Sequence, residues 1–389
     1  MKEILFISDY INPFEPTYGG AQRSNLLLKA CLKVGHVDFV MFQNGVKSNL
    51  KGCDVVFSKE MERRDISRLK KWAGLLTPWN PYSIYRIHSG KEKVIDELMK
   101  KKRYDYIVIR YIPEALTCGL LKYADRLIVD VDDNPKDTLR NNAKLTKSKP
   151  NKLYNYIASL WAPVFVKRVT HMVHAALFSN PQQVKGAHEV FLPNVAFEEP
   201  KSEYVCFKET KPRLFFVGRL DYYPNYLGID HFVESVWPEV LKALPKAELQ
   251  IAGKVYASEV VAPYFAKWNQ TQGIKVLGFL ESLDASYAAC RATISPIYTG
   301  AGTNIKLMES LQRKRVSVTT NCGMRGMRDY LVPNEDLLVA RDDWEYAQFV
   351  VKALTDEEFN RRVAQNGYEK NMRFFSQAKF NAIINDLMQ

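Results

Sequence analysis

The stretch of this 389-residue chain that offers the most chemistry spans positions 294–311. It reads Ile-Ser-Pro-Ile-Tyr-Thr-Gly300-Ala-Gly302-Thr-Asn-Ile-Lys306-Leu-Met-Glu309-Ser-Leu. A short apolar run ends at Pro296, a glycine-bearing loop follows, and Thr303 is placed to cap a new helix. Loop amides and a helix N-terminus together form an anion site that suits a diphosphate. Lys306 falls in the first helical turn, where a cation opposes the helix dipole and an anionic ligand would offset the conflict. Glu309 lies one turn on along the same face, where a carboxylate can accept both hydroxyls of a ribose. The same residues also read as a capped surface helix with a Lys306–Glu309–Arg313 charge ladder. Gly218 and Arg219 follow another apolar run, and an arginine there gives a bidentate grip on phosphate oxygens. In the first half, Gly19 and Gly20 open a helical pattern and let backbone approach a ligand, although a plain turn accounts for them as well. Asp130-Val-Asp132-Asp133 ends a strand-like run. Asp-x-Asp can hold a divalent metal on a diphosphate, but this one stands away from the Lys306 loop. Orienting an acceptor hydroxyl is the role expected of Asp132, and no metal site is expected.

The elements that must position these residues alternate. Strand-like runs at 4–7, 38–42, 55–57, 106–109 and 127–131 are separated by helical patterns, one carrying Leu26, Leu27, Ala30 and Val34 and another at 94–101. The alternation restarts after Lys211, with strands at 213–217, 247–251, 274–277, 292–295 and 316–319 and helices at 228–244, 283–290 and 303–314. Alternating strand and helix implies a parallel, doubly wound sheet, here twice, and the length also calls for two domains. The expected division is an N-terminal Rossmann-like domain at 1–197 and a C-terminal Rossmann-like domain at 198–365. A helical tail at 366–389 is expected to pack back on the first, with a charged linker at 198–212. Ligands of such sheets sit beyond the carboxyl ends of the strands, which singles out the loops at 9–20, 218–225, 253–256 and 296–303.

Composition narrows the partners. The formal net charge is +12 and the pI is near 9.2, which suits nucleic acid, an anionic membrane surface or a phosphorylated substrate. No nucleic-acid motif is present. Between Arg63 and His88, basic residues (Arg63, Arg64, Arg68, Lys70, Lys71) mix with Trp72, Leu75, Leu76, Trp79 and Tyr82. That mixture reads either as an amphipathic surface for anionic lipid or as a solvated helix and packed loop. The six cysteines are scattered without a C-x-x-C pair, as in a reducing cytoplasm. His171 and His174, three apart, read as packing or surface residues rather than a metal pair. The first apolar run, stopped by Asp9, is too short for a signal peptide, and no apolar stretch is long enough to span a bilayer. The expected location is the cytoplasm, either free or peripheral at the inner face of the membrane.

Taken together, the residues carry a family resemblance. The segment 302–309 resembles the donor-site motif of family-4 retaining glycosyltransferases of the GT-B fold. So do Phe216-Val-Gly218-Arg219-Leu220 with Pro224-Asn225, the run 247–253, Val276-Leu-Gly278-Phe279 and the loop Pro16-Thr-Tyr-Gly19-Gly20. The resemblance covers nearly all of the second half and parts of the first. It implies an α/β GT-B protein, two Rossmann-like domains facing a cleft, that moves a sugar from a UDP- or GDP-sugar to a glycan or lipid-linked saccharide acceptor. In that reading Arg219 and Lys306 neutralise the leaving diphosphate and Glu309 holds the ribose. Gly19, Gly20, Gly218, Asn225, Gly300, Gly302, Thr303 and Asn304 line the donor site. Neither metal nor cofactor is needed, configuration is retained, and the departing phosphate takes the acceptor proton. Two positions depart from the pattern. Ala301 stands where the family often has a donor-sugar glutamate, and Tyr223-Pro224-Asn225 stands where many members carry a second lysine. A nucleotide-sugar epimerase of the same fold and a non-catalytic nucleotide-sugar-binding protein are the alternatives.

Overall fold

The computed structural model describes residues 1–61, 72–77, 79, 80, 82, 84–132, 135–197, 200, 203–299 and 303–389. The chain forms two compact units, Met1–Pro193 with Phe380–Gln389, and Asn194–Lys379.

The first unit is built on seven parallel strands, β1 (Lys2–Ser8), β2 (Gly35–Met41), β3 (Cys53–Ser58), β4 (Tyr106–Arg110), β5 (Leu127–Asp132), β6 (Ala175–Phe178) and β7 (Glu189–Phe191). Their order is β3-β2-β1-β4-β5-β6-β7. Among the described residues its main helices are α1 (Gly19–Val34), α2 (Ser89–Lys101), α3 (Ile112–Thr117), α4 (Pro135–Leu145) and α5 (Lys149–Met172). Central strands of a parallel sheet are covered on both faces, so they read as continuous apolar runs. Ile4, Leu5, Phe6 and Ile7 of β1 are accordingly all fully buried.

The second unit repeats the plan with β8 (Arg213–Val217), β9 (Glu248–Ala252), β10 (Ile274–Gly278), β11 (Ala292–Ser295), β12 (Val316–Thr320) and β13 (Leu338–Ala340). The order is β10-β9-β8-β11-β12-β13, again parallel. Its helices are α6 (Tyr223–His231), α7 (Trp237–Ala243), α8 (Ser258–Gln270), α9 (Asp284–Ala289), α10 (Ile305–Gln312), α11 (Asp343–Thr355) and α12 (Glu357–Phe374). The last helix, α13 (Gln377–Leu387), runs on into the segment that returns to the first unit.

In both sheets the strand order reverses once, between β1 and β4 and between β8 and β11. Crossovers leave to opposite faces there, which opens a crevice at the carboxyl ends of those strands. The helix expected at 228–244 starts earlier, at Tyr223, because Pro224 suits a first turn where no amide is needed. A π turn over Phe232–Val236 then joins it to α7, just ahead of Pro238, whose missing N–H cannot serve the regular helical ladder. The strands β6, β7 and β13, three or four residues long, escape the sequence pattern.

Close packing in the second unit depends on two glycines. A Cβ at Gly228 of α6 would lie 1.8 Å from the Pro296 carbonyl oxygen, at the end of β11. Gly253, at φ 156°, brings the β9 loop against the Gly218 carbonyl, 1.7 Å from where its Cβ would stand. Gly228→Ala is therefore expected to lower stability by about 3 kcal/mol, read as a lower urea midpoint. A midpoint equal to that of the parent protein would show that this contact is slack.

Candidate functional site

The second sheet's reversal point gathers the sequence-predicted cations. Lys306, at the second residue of α10, turns back toward the β8 loop and donates from Nζ to Asn225 Oδ1 at 2.9 Å. Its ammonium lies over the Phe216 ring, 5.3 Å from the centroid, and its Cε is 3.2 Å from where a Cβ of Gly218 would stand. Asn225 is buried and donates in turn to the Arg219 carbonyl at 2.7 Å. Gly218, Arg219, Asn225 and Lys306 are thus brought together by one chain of contacts across the ends of β8 and β11. Burial pushes the Lys306 amine down to about 8, and the charge of Glu309 on the next turn only partly opposes this. Glu309 is half-buried on α10.

The Arg219 side chain is half exposed and gripped from one side. Its Nε and Nη2 donate to Asp221 at 2.8 and 3.1 Å, and its guanidinium lies 5.0 Å from the Tyr256 ring centroid. The Asp221 side chain is fully covered. The guanidinium and the amides of Ala257 and Tyr256 hold its carboxyl down at about 2. Lys254 shares the Tyr256 ring at 5.0 Å and adds a further positive charge to this edge. Sequence reasoning named the 253–256 loop without naming Lys254, and it overlooked Asp221. An acid two residues after a loop arginine is the local signal that would have found the latter.

Thr303 differs from expectation. The N-cap of α10 is Asn304, no side chain caps the helix, and the first turn contains no acid. The Thr303 hydroxyl instead accepts from Asn194 Nδ2, while Asn304 Nδ2 donates to the Gly323 carbonyl. Both side chains tie the loop down, which leaves the amides at the start of the helix without a side-chain cap. Arg313 also reaches Asp284 at 3.3 Å. Gly300, Ala301 and Gly302 lie outside the described residues.

The first unit answers differently. Asp130 is wholly buried between Arg23 (Nη2–Oδ1 2.7 Å) and Arg110 (Nε–Oδ2 2.7 Å). Asp132, at φ 55°, takes Arg110 Nη2 at 2.5 Å and lies 3.7 Å from Arg23. Arg110 also donates to the Gly20 carbonyl at 2.6 Å and to Ser24 Oγ at 3.1 Å. Gly19 and Gly20 open α1, as the sequence implies, and Gly20 and Asp132 meet through Arg110. Both carboxylates of the Asp-x-Asp pattern are thus occupied by guanidinium groups, and Asp133 lies outside the described residues. Nothing in the sequence marked Arg23 and Arg110 as their partners.

At the first sheet's reversal point, Tyr10 after β1 and Tyr111 after β4 stack, with ring centroids 6.4 Å apart and planes 7° apart. Nearby, burial raises the Glu114 carboxyl to about 7. Asp9 pairs with Lys91 at 2.5 Å. His171 and His174 do not converge: His171 Nδ1 sits on the Lys167 carbonyl and His174 Nε2 on that of Leu387. Among the described residues His36, Asp38 and Asp54 do cluster, but Lys102 and the Tyr104 hydroxyl already bond Asp38. Of the 63–88 stretch, residues 63–71 lie outside the description. Leu75 is buried, whereas Leu76 and Trp79 are exposed.

A family model described as glycosyl transferases group 1 matches residues 211–356, the sheet and most helices of the second unit. A Klebsiella pneumoniae protein described as an uncharacterized 44.6 kDa protein in the cps region is 22% identical over 297 residues, covering 74% of this chain and 71% of its own. Among solved structures, sucrose-phosphate synthase from Thermosynechococcus elongatus superposes with a TM-score of 0.71 at 15% identity, over 100% of this chain and 98% of that one. The Anabaena protein HepE, in complex with UDP and glucose, gives 0.64 at 12% identity over 99% of each chain. The fold is α/β of the GT-B class, with two Rossmann-like units. No described helix is long and apolar enough to cross a membrane.

Lys306 carries a folding cost, because its amine is easier to deprotonate here than in the unfolded chain. The lowered value means that the unfolded state binds more protons between about pH 8 and the ordinary lysine value, so this penalty is full below pH 8 and fades above it. Lys306→Met is expected to raise the thermal midpoint at pH 7 by a few degrees, with the gain shrinking toward pH 10. A lower midpoint at pH 7 would contradict this reading.

Proposed function

We propose that this protein is a retaining glycosyltransferase that moves a sugar from a UDP- or GDP-sugar to a glycan or lipid-linked saccharide, without a metal or cofactor. The observation that carries the proposal is the Lys306 ammonium, held by a neutral amide beside the Arg219 loop at the reversal point of the second sheet. A half-buried cation with no described carboxylate directly on it is poised for an anion, and a helix start without a side-chain cap next to it favours a diphosphate. Support also comes from the match over residues 211–356 and from the likeness to a protein that holds UDP and glucose, which makes UDP the first nucleotide to test. The cps-region relative supports a polysaccharide as the product class.

In this reading Lys306 and Arg219 stabilise the charge that develops on the leaving diphosphate, the main catalytic effect available to such a site. Lys254 adds to the same field, and Asp221 keeps the Arg219 guanidinium in place. Glu309 accepts the ribose hydroxyls. The anomeric C–O bond to the diphosphate breaks and the acceptor oxygen bonds on the same face. The acceptor proton passes to the departing phosphate oxygen. The first unit binds the acceptor, with Asp132 orienting its hydroxyl. A soluble enzyme or a peripheral one at the inner face of the membrane are both compatible with this scheme.

UDP- and GDP-sugars at about a hundred times their dissociation constant are expected to add about 2.7 kcal/mol to unfolding free energy. Transfer or donor hydrolysis should fall on the order of 10²–10³-fold in Arg219→Ala and in Lys306→Ala. Full activity in both variants would remove the site assignment. Donor isomerisation without an acceptor would favour an epimerase, and tight donor binding with neither reaction would favour a non-catalytic binder.

A further inference from the structure

The solvent face of α5 has no partner among the described residues and an unusual composition. The helix runs for 24 residues from Lys149 to Met172. One face, with Tyr154, Ala158, Ala162, Phe165 and Val169, is buried in the first unit's core. The opposite face carries Leu153, Tyr156, Leu160 and Val164, at steps of three and four, each 42–53% exposed. Lone exposed apolar residues need no explanation, but a continuous stripe along a helix does. Next to the helix, Trp72 packs its edge on Tyr154. The short turn that follows leads to Leu76 and Trp79, 76% and 58% exposed.

Charge decides what this face suits. Residues 138–188 contain no aspartate or glutamate and eight lysines and arginines. Lys149 and Lys152 stand at one end of the apolar stripe and Lys167 and Arg168 at the other, all exposed. None of the four enters an ion pair with a described carboxylate. A folded protein partner of mixed charge has no need of such uniformity, whereas a surface of one negative sign does.

We infer that the stripe on α5, framed by these four cations, docks the protein on an anionic lipid bilayer, with the helix lying in the interface. Leucine, tyrosine and valine enter the headgroup boundary, and the lysine and arginine stems reach along them to place their charges at the phosphates. The tyrosine is of the type that favours that depth, apolar in body and polar at the tip. The surface belongs to the first unit alone and does not depend on the donor site.

The test is vesicle co-sedimentation of the full chain. The expected result is partition onto phosphatidylcholine vesicles containing about 30% phosphatidylglycerol, little onto phosphatidylcholine alone, and a decline as salt rises. Two double variants on exposed positions, Lys167→Glu with Arg168→Glu and Leu153→Ser with Leu160→Ser, should each weaken partition about tenfold or more. Their thermal midpoints and far-UV dichroism should stay those of the parent protein. Absence of binding at low salt would overturn the inference and leave the face to an acidic protein partner. Equal binding to neutral and anionic vesicles, or parental binding by both folded variants, would overturn it as well.

Discussion

A lysine ammonium whose hydrogen-bond partner among the described residues is a neutral amide is the constraint around which the second unit is arranged. Lys306 meets Asn225 Oδ1 and the face of Phe216, which is less solvation than the ammonium would have in water, and its affinity for a proton drops accordingly. The surrounding sequence supports that arrangement. Asn225 is fixed by its bond to the Arg219 carbonyl, Gly218 leaves room for the lysine stem, and Gly228 lets α6 lie against Pro296. Under the proposed function, the donor's diphosphate places negative charge beside this ammonium, which offsets its desolvation and favours donor binding.

The two units use one topology for opposite electrostatic ends. In the first, the acids at the end of β5 are matched by two buried arginines, each with further carbonyl or hydroxyl acceptors. This network ties α1, β4, β5 and the segment at Leu192 and Pro193 together. Removing one member of such a set strands a buried charge. It therefore reads as a positioning device, holding the Asp132 carboxylate and the start of α1 in a fixed relation. At the strand ends of the second unit the grouped side chains are the cations Arg219, Lys254 and Lys306. Asp221 steadies Arg219 from the side and leaves half of its side chain exposed.

Much of the fold was legible because parallel strands announce themselves as apolar runs, and ten such runs alternate with helical patterns. The strands β6, β7 and β13 were silent. Lys306, Gly218, Arg219 and Asn225 could be read from spacing around strand ends and from a family resemblance. Lys254, Arg23 and Arg110 could not, because they matter through contacts made after the chain folds. Thr303 shows the limit of local rules. Its type and place fit a helix cap, but the hydroxyl is taken by Asn194, more than a hundred residues away in sequence.

The most direct test is calorimetry of UDP binding at pH 8 in two buffers of different ionisation enthalpy. At that pH the nucleotide's phosphates are already ionised, their second pKa being about 6. Any proton taken up therefore goes to the protein. A Lys306 amine lowered to about 8 is only partly charged before binding and fully charged beside a diphosphate. The account predicts uptake of a fraction of a proton per UDP, absent in Lys306→Met. Tight UDP binding with no proton linkage, or the same linkage in the methionine variant, would contradict it.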